Sequence, residues 1–402
     1  MPGGEAPQKV LVVAPEIEAV IDNQTGLPHL WFEQSGPEGE RLDVLVVRGT
    51  FDFASASAPM RVARRQTPIV FGDKYEGVED DDVLRAVVVD DGDLVPYKPG
   101  TDILVRGSAS APESRPHATW LAGVRVGQIK KTIRLHGPRQ FRRTLLGWSL
   151  GQAQPVTSVM LDYRLAYGGG LAIPPSLCES GVAEAVKHDG NPAGCGWLPS
   201  RSHYKHLPYR ARAYVRHWIG KQLTIPAPQI EDASHPIDDP FGAGGAPGLG
   251  ALARWWAPRV KLQGRYDDRW RRERFPLLPE NFDSSYFQSA PSDQVAIPHL
   301  LGNESVTLYG LLPDRCDMHL PGWRVVVVAT RASGASSVHV SLLDTVRFDL
   351  ATRQAVLVWR AHFTQGDDPV VDVVLAATAA ELTRGDEEDP AVPSASAAGR
   401  RI

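Results

Sequence analysis

The feature that most constrains this chain is a long succession of short β-branched runs separated by turn residues, with little helical period between them. Residues 41–53, RLDVLVVRGTFDF, are β-branched and partly alternating. Residues 83–89 and 102–107 are apolar, with the turn-rich DDGDLVPYKPG between them. Residues 120–126 and 128–135 flank Gly127 as the arms of a hairpin would, and 156–163 is a further candidate strand. Strand signals return at 323–330, 338–343, 345–350, 355–360 and 370–377, with a turn from Asp349 to Gln354. Runs of this length and spacing favour packed sheets over alternating β–α units. The expected fold is mainly β, an antiparallel β-sandwich or barrel-like scaffold with long irregular loops and few short helices.

Between the strand-rich halves lies a glycine- and proline-rich stretch containing GGG, NPAGCGWLP and DDPFGAGGAPGLG. Such a stretch is uncommon inside a compact domain unless it is functional or mobile. One helix is expected within it, at 209–220, YRARAYVRHWIG. The expected division is an N-terminal β-rich region at 1–167, an irregular insertion at 168–250, and a C-terminal β-rich region at 251–382 packed on the first. A disordered tail follows at 383–402, acidic and then rich in Pro, Ala and Ser.

Residues 264–294, GRYDDRWRRERFPLLPENFDSSYFQSAPSDQ, interrupt this pattern. They combine six aromatics, five arginines and six acids with no repeating period. Asp267 is placed to cap a short helix carrying Trp270 and Arg274, Pro276 to end it, and Asp283 to cap a second turn with Tyr286 and Phe287. Burying the aromatics falls short of the entropy lost in ordering about thirty backbones. The segment therefore has to lean on a scaffold, a partner or both.

Composition narrows the function classes. A net charge of −4 argues against wholesale nucleic-acid binding. Three cysteines, Cys178, Cys195 and Cys316, are too few for a disulfide framework and fit a reducing compartment. Residues 1–7 carry no basic leader, the apolar run 10–14 is stopped by Pro15 and Glu16, and no run has the length of a membrane span. The expected location is cytoplasmic.

Four constellations bear on chemistry. Gly147-Trp148-Ser149-Leu150-Gly151 matches G-x-S-x-G, but the basic residues before it and Pro155 after it are the wrong surroundings for a nucleophile elbow. Cys178, Cys195, His203 and His206 offer metal-ligand chemistry without a C-x-x-C clip. The glycine clusters at 168–170 and 242–250 lack the G-K-[ST] ending of a phosphate loop. Asp90–Asp91 and Asp238–Asp239 sit in turn-like sequence that explains them by solvation. By contrast, residues 125–143 hold seven basic residues and no acid, as a solvated sheet face or a docking patch for an acidic protein would.

Several blocks together resemble a known family. They are LWFEQSGPEGERLDVLVVRGTFDF, VPYKPGTDILVRGSA, WLAGVRVGQIKKTIRLHGPRQFRR, LDYRLAYGGG, NPAGCGW, YDDRWRRERFPLLPENFDSSYFQSAPSDQ and DTVRFDLATRQAVLVWRA, spanning roughly residues 30–361. The chain is similar to the bacterial type VI secretion accessory proteins catalogued as domain of unknown function twenty-one sixty-nine. It departs from them at Tyr167, where a phenylalanine-like aromatic is usual, and at Ala227-Pro228-Gln229-Ile230-Glu231, where an L-P-N-x-E element is common. The resemblance implies a cytoplasmic adaptor or chaperone that binds a secreted effector or PAAR-domain protein and helps load it onto the VgrG spike. It implies no enzyme activity and no catalytic residues, while the residues themselves lead one to expect no metal, no cofactor, and neither nucleic acid nor membrane as partner. The alternatives are a hydrolase using Ser149 or a metal near Cys195 and His203, and a permanent structural component of the secretion apparatus. The candidate partner-binding residues are Trp270, Arg274, Phe275, Tyr286 and Phe287, with Lys130, Lys131 and Arg134 as a basic rim.

Overall fold

The computed structural model describes residues 19–54, 60–77, 83–242 and 244–379. The expectations for residues 1–7, 10–14 and 383–402 fall outside them.

Strands dominate, as their β-branched composition dictates. The largest sheet runs in the order His29–Ser35, Arg41–Asp52, Gln354–Thr364, Leu342–Asp349, Thr101–Arg106, Val295–Ala296, with the short Arg61–Val62 also paired to Arg41–Asp52. Its pairings are antiparallel except one: Leu342–Asp349 and Thr101–Arg106 run parallel. A second sheet orders Ile230–Asp232, Ile129–His136, Thr119–Val126, Ser305–Tyr309 and Cys316–His319. A third orders Val20–Asn23, Val370–Ala379, Trp323–Arg331 and Ser336–Val340. The sheets do not close into a barrel.

One apolar core is shared by all three. It takes Leu45, Phe51, Phe348 and Trp359 from the first sheet, Val124, Ile133 and Met318 from the second, and Val327 and Leu375 from the third. The hairpin around Gly127 pairs Ile129 with Val126, in the left-handed turn that a glycine at φ +55° permits. A smaller core is built from the glycine- and proline-rich stretch. There the helix Tyr209–Lys221 buries Ala211 and Val215 with Phe141, Tyr167, Trp197 and Ile225. The stretch is thus packed around its own hydrophobic cluster, with the expected helix inside it.

Three local readings change, the first at 338–343, which is divided between the strands Ser336–Val340 and Leu342–Asp349. The run 83–89 is not one strand: a single turn at Val83–Arg85 precedes the strand Val87–Asp90. The run 156–163 keeps only Ser158–Met160 as strand. Among the described residues no helix is long and apolar enough to cross a membrane.

Candidate functional site: an ionic clamp and the segment it holds

Strand period two puts alternate residues of the large sheet on opposite faces. Leu45, Val47 and Phe51 enter the shared core, so Val46, Arg48 and Thr50 face the other way. By the same alternation Arg347, Arg360, Thr345 and Asp102 stand on that second face. Residues 90–98 and 287–290 close over it, and the charges are buried.

The charges are paired throughout. Arg48 reaches Asp93 at 2.9 Å and Asp90 at 3.4 Å. Arg347 spans Asp90 and Asp91 with its two terminal nitrogens. Arg360 donates to Asp344 at 2.5 Å and to the carbonyls of Asp93 and Val95, each at 2.8 Å. Lys98 contacts Asp102 and the Thr345 hydroxyl, both at 2.8 Å, and Asp91 at 3.4 Å. Four cations therefore face five carboxylates, and the exposed Lys74, 3.8 Å from Asp90, supplies the fifth positive charge.

Burial alone would raise the Asp91 carboxyl, but Arg347 and Lys98 outweigh it and hold the group well below the usual carboxylate range. Burial likewise opposes the charge on Lys98, and Asp102 and Asp91 overcome it and raise its pKa. At Asp93 burial wins over Arg48, and the carboxyl is raised. The Asp90–Asp91 pair, expected to be solvated turn residues, is instead sealed inside this cluster.

Asp102 is where the clamp meets the aromatic segment. It accepts from Lys98, from the Gln288 side chain at 2.8 Å, and from the backbone N–H groups of Ser289 at 2.9 Å and Ala290 at 3.2 Å. The Ser289 hydroxyl lies between Asp91 and Asp102, 2.8 and 3.1 Å away. Just upstream, Phe287 packs edge-on against Tyr97, which also meets His362. The scaffold that the segment requires is thus the charged face of the large sheet.

The other end of the segment folds locally and docks on the turn between the first two strands of that sheet. Asp267 caps the helix Asp268–Glu273 through the Trp270 N–H, and Asp283 caps Ser284–Phe287 through the Ser285 N–H, as the sequence leads one to expect. The Trp270 indole donates to the Leu277 carbonyl at 2.8 Å. Arg274 donates to the Leu278 carbonyl at 2.5 Å and to both Glu38 carboxylate oxygens at 2.8 and 2.9 Å. Leu277 lies over Gly39, where an added Cβ would fall 2.4 Å from Leu277 Cδ2. Tyr266, Trp270 and Phe275 form an edge-to-face chain. Tyr266 and Phe275 stand 48 % and 67 % exposed beside a cleft of about 480 Å3 lined by Arg265, Trp270 and Arg274.

The candidate partner-binding residues thus fall into separate groups. Trp270, Arg274 and Phe275 lie together, the first two half-buried as braces. Tyr286 and Phe287 join Phe282 in a second aromatic cluster near Tyr97. Lys131 is no rim residue. Its strand face turns it inward, where its ammonium meets Asp293 at 2.8 Å. Lys130 and Arg134 share the opposite face, Lys130 exposed and Arg134 half-buried, donating to the Ala233 carbonyl at 3.0 Å.

The other constellations resolve by geometry. Ser149 sits within the strand Gly147–Leu150, paired with Arg142, and not on a strand-to-helix turn. His203 bonds Ser200 and packs on Trp197. Burial pushes the Cys195 thiol up to about 12. No group of three or more His, Cys, Asp or Glu among the described residues is arranged to hold a metal.

The blocks of sequence quoted above converge on the clamp: Arg48 from LVVRGTF, Lys98 and Asp102 from YKPGTD, Asp344 and Arg347 from DTVRF, and Arg360 from LVWRA. A family model described as an uncharacterized protein conserved in bacteria (DUF2169) matches residues 38–360. The chain belongs to the DUF2169 family. No curated protein and no solved structure matches it. The matched span contains all nine charges of the buried cluster and the whole aromatic segment.

The clamp makes acid a denaturant. A carboxyl whose folded pKa is depressed adds stability that is present above its unfolded value, about 3.9 for Asp, and is lost as pH falls through the folded value. Asp91 and Glu231 are both held down, the latter by His136 and Arg139 against its burial. Asp93, raised, acts in the opposite sense: its contribution is present at low pH and lost as pH rises through its folded pKa. With the depressed groups prevailing, the melting temperature is expected to fall progressively below about pH 4. A flat thermal-unfolding profile from pH 6 to pH 3 would contradict the charged state of the cluster.

Proposed function

We propose that this DUF2169 protein is a type VI secretion adaptor that works in the bacterial cytoplasm. It binds a secreted effector or PAAR-domain protein and helps load it onto the VgrG spike. The observation that carries the reading is a rigid aromatic and arginine surface presented outward. Arg274 and Leu277 are tied to the scaffold and Trp270 to Leu277, while Tyr266 and Phe275 project outward. Aromatic side chains fixed before binding lose little entropy on contact, and Tyr and Arg are among the residues that dominate interface energies. Family membership supports the same reading, and the resemblance set out above supplies the partner class.

The structure refines the residues to test. Trp270 and Arg274 also brace the segment, so their removal mixes folding with binding. Tyr266→Ala with Phe275→Ala leaves the braces intact. The double variant is expected to keep its melting temperature and to weaken effector capture about tenfold or more. The measurement is co-purification from the native host with mass spectrometry, wild type beside the variant. Recovery of an assembled baseplate with no effector would instead favour a permanent structural component. Unchanged effector capture by the variant would remove this surface from the interface.

A further inference from the structure

The downstream half of the segment borders a cavity of about 620 Å3, between it and the short helix Ala257–Val260. That volume is within the range of small-ligand sites. Its walls include Leu252, Leu262, Val295 and Ile297. Polar side chains line it as well, His188, Ser285 and Ser292 among them, and the two buried ones are Arg259 and Gln288, only 4 % and 5 % exposed.

Each has unmet bonding capacity. Arg259 makes no ion pair among the described residues. It gives Nη1 to the Leu252 carbonyl at 2.7 Å, and Nε and Nη2 to the Tyr286 carbonyl at 3.3 and 2.9 Å. A guanidinium has five N–H groups, so two are left over. The Tyr286 ring, 5.6 Å from the guanidinium carbon, offsets part of the charge. Gln288 spends its amide N–H groups on Asp102 and the Gly100 carbonyl, and its Oε1 has no donor. The Gln288 oxygen is sealed from the cavity, so the spare N–H groups of the Arg259 cation are what call for a ligand there.

We propose that this cavity binds an apolar residue carrying a free α-carboxylate, the chemistry of a peptide C-terminus or an N-acyl amino acid. The carboxylate takes the spare N–H groups of Arg259. The side chain packs on Leu252, Leu262, Val295 and Ile297. This site is separate from the Tyr266–Phe275 surface and stands independently of the adaptor reading.

The probes are acetyl-Gly-Ala-Ala-Leu as free acid, the same peptide as C-terminal amide, and N-acetylleucine, titrated calorimetrically into the full chain. The free acid is expected to bind at least about tenfold more tightly than the amide, because the charge-assisted bonds are lost in the latter. Tighter binding of the peptide than of N-acetylleucine identifies a protein C-terminus as the source, and equal binding identifies a small acyl amino acid. Arg259 supports two loop carbonyls, so its removal tests folding more than binding. Ile297, 71 % exposed at the rim, is the better lever. Ile297→Glu is expected to weaken the free acid about tenfold and Ile297→Lys to tighten it, with the amide little affected. Equal affinity for acid and amide, no binding of either, or no response to charge at position 297 would overturn the proposal.

Discussion

Arg347→Ala is expected to destabilise the protein by about 3–5 kcal/mol, enough to unfold a large share of it at physiological temperature. The arginine bridges Asp90 and Asp91 and is itself buried, so its loss leaves two carboxylates in the interior with fewer countercharges. Denaturant unfolding of purified protein reads the effect directly. The triple replacement Arg347→Met, Asp90→Asn, Asp91→Asn removes this bridge as a unit, leaves three buried cations facing three carboxylates, and is expected to recover part of the loss, because neutral substitutes for a buried ion triad are often tolerated. An Arg347→Ala protein within about 1 kcal/mol of wild type would mean that water enters the cluster and that the charges are not sealed.

The second large effect is local before it is global. Asp102→Ala removes the acceptor for Lys98, the Gln288 side chain and the N–H groups of Ser289 and Ala290. The expected cost is about 3–5 kcal/mol, since it leaves a buried ammonium with only the more distant Asp91 as counterion and strands two backbone donors. Its signature is positional. Amide hydrogen exchange at residues 283–290 is expected to lose protection well before the strands of the large sheet do. Uniform loss across the molecule, with no preferential opening at that segment, would show that Asp102 does not tie the segment down.

How far the sequence discloses this arrangement depends on the range of each interaction. The hairpin about Gly127, the helix Tyr209–Lys221 and the caps at Asp267 and Asp283 are fixed by residues within a few positions of one another, and composition reveals them. The clamp is different. Arg347 meets Asp90 and Asp91 across more than 250 positions, and nothing near DDGD distinguishes a buried acidic pair from a solvated turn. A signal was nevertheless present in the partners. Arg48, Arg347 and Arg360 each interrupt an apolar β-branched run at strand period, in sequences otherwise buried on both faces. A charge there has to find an opposite charge inside. Lys131 is hard to place from sequence for a related reason: in a basic run, only the parity of the strand decides which lysine turns inward, and Ile133 and Leu135 share its parity. The Tyr266–Phe275 surface was half legible, because density of aromatics marks the segment but not which of them are braces.

The central pairing of the large sheet also sets a timetable for synthesis. Arg41–Asp52 is one of its longest and most buried strands, yet its inner neighbour is Gln354–Thr364, with Asp52 and Gln354 separated by 302 positions. At about 5–20 residues per second, a ribosome takes roughly 15–60 s to deliver that neighbour. Throughout that time the nascent chain carries an apolar strand with an open edge and an arginine whose aspartates have nothing to close over. Long-range pairing of this kind is slow and exposes the chain to aggregation. The sheet cannot close until Gln354–Thr364 has been made, which makes the growing chain a natural client for nascent-chain chaperones.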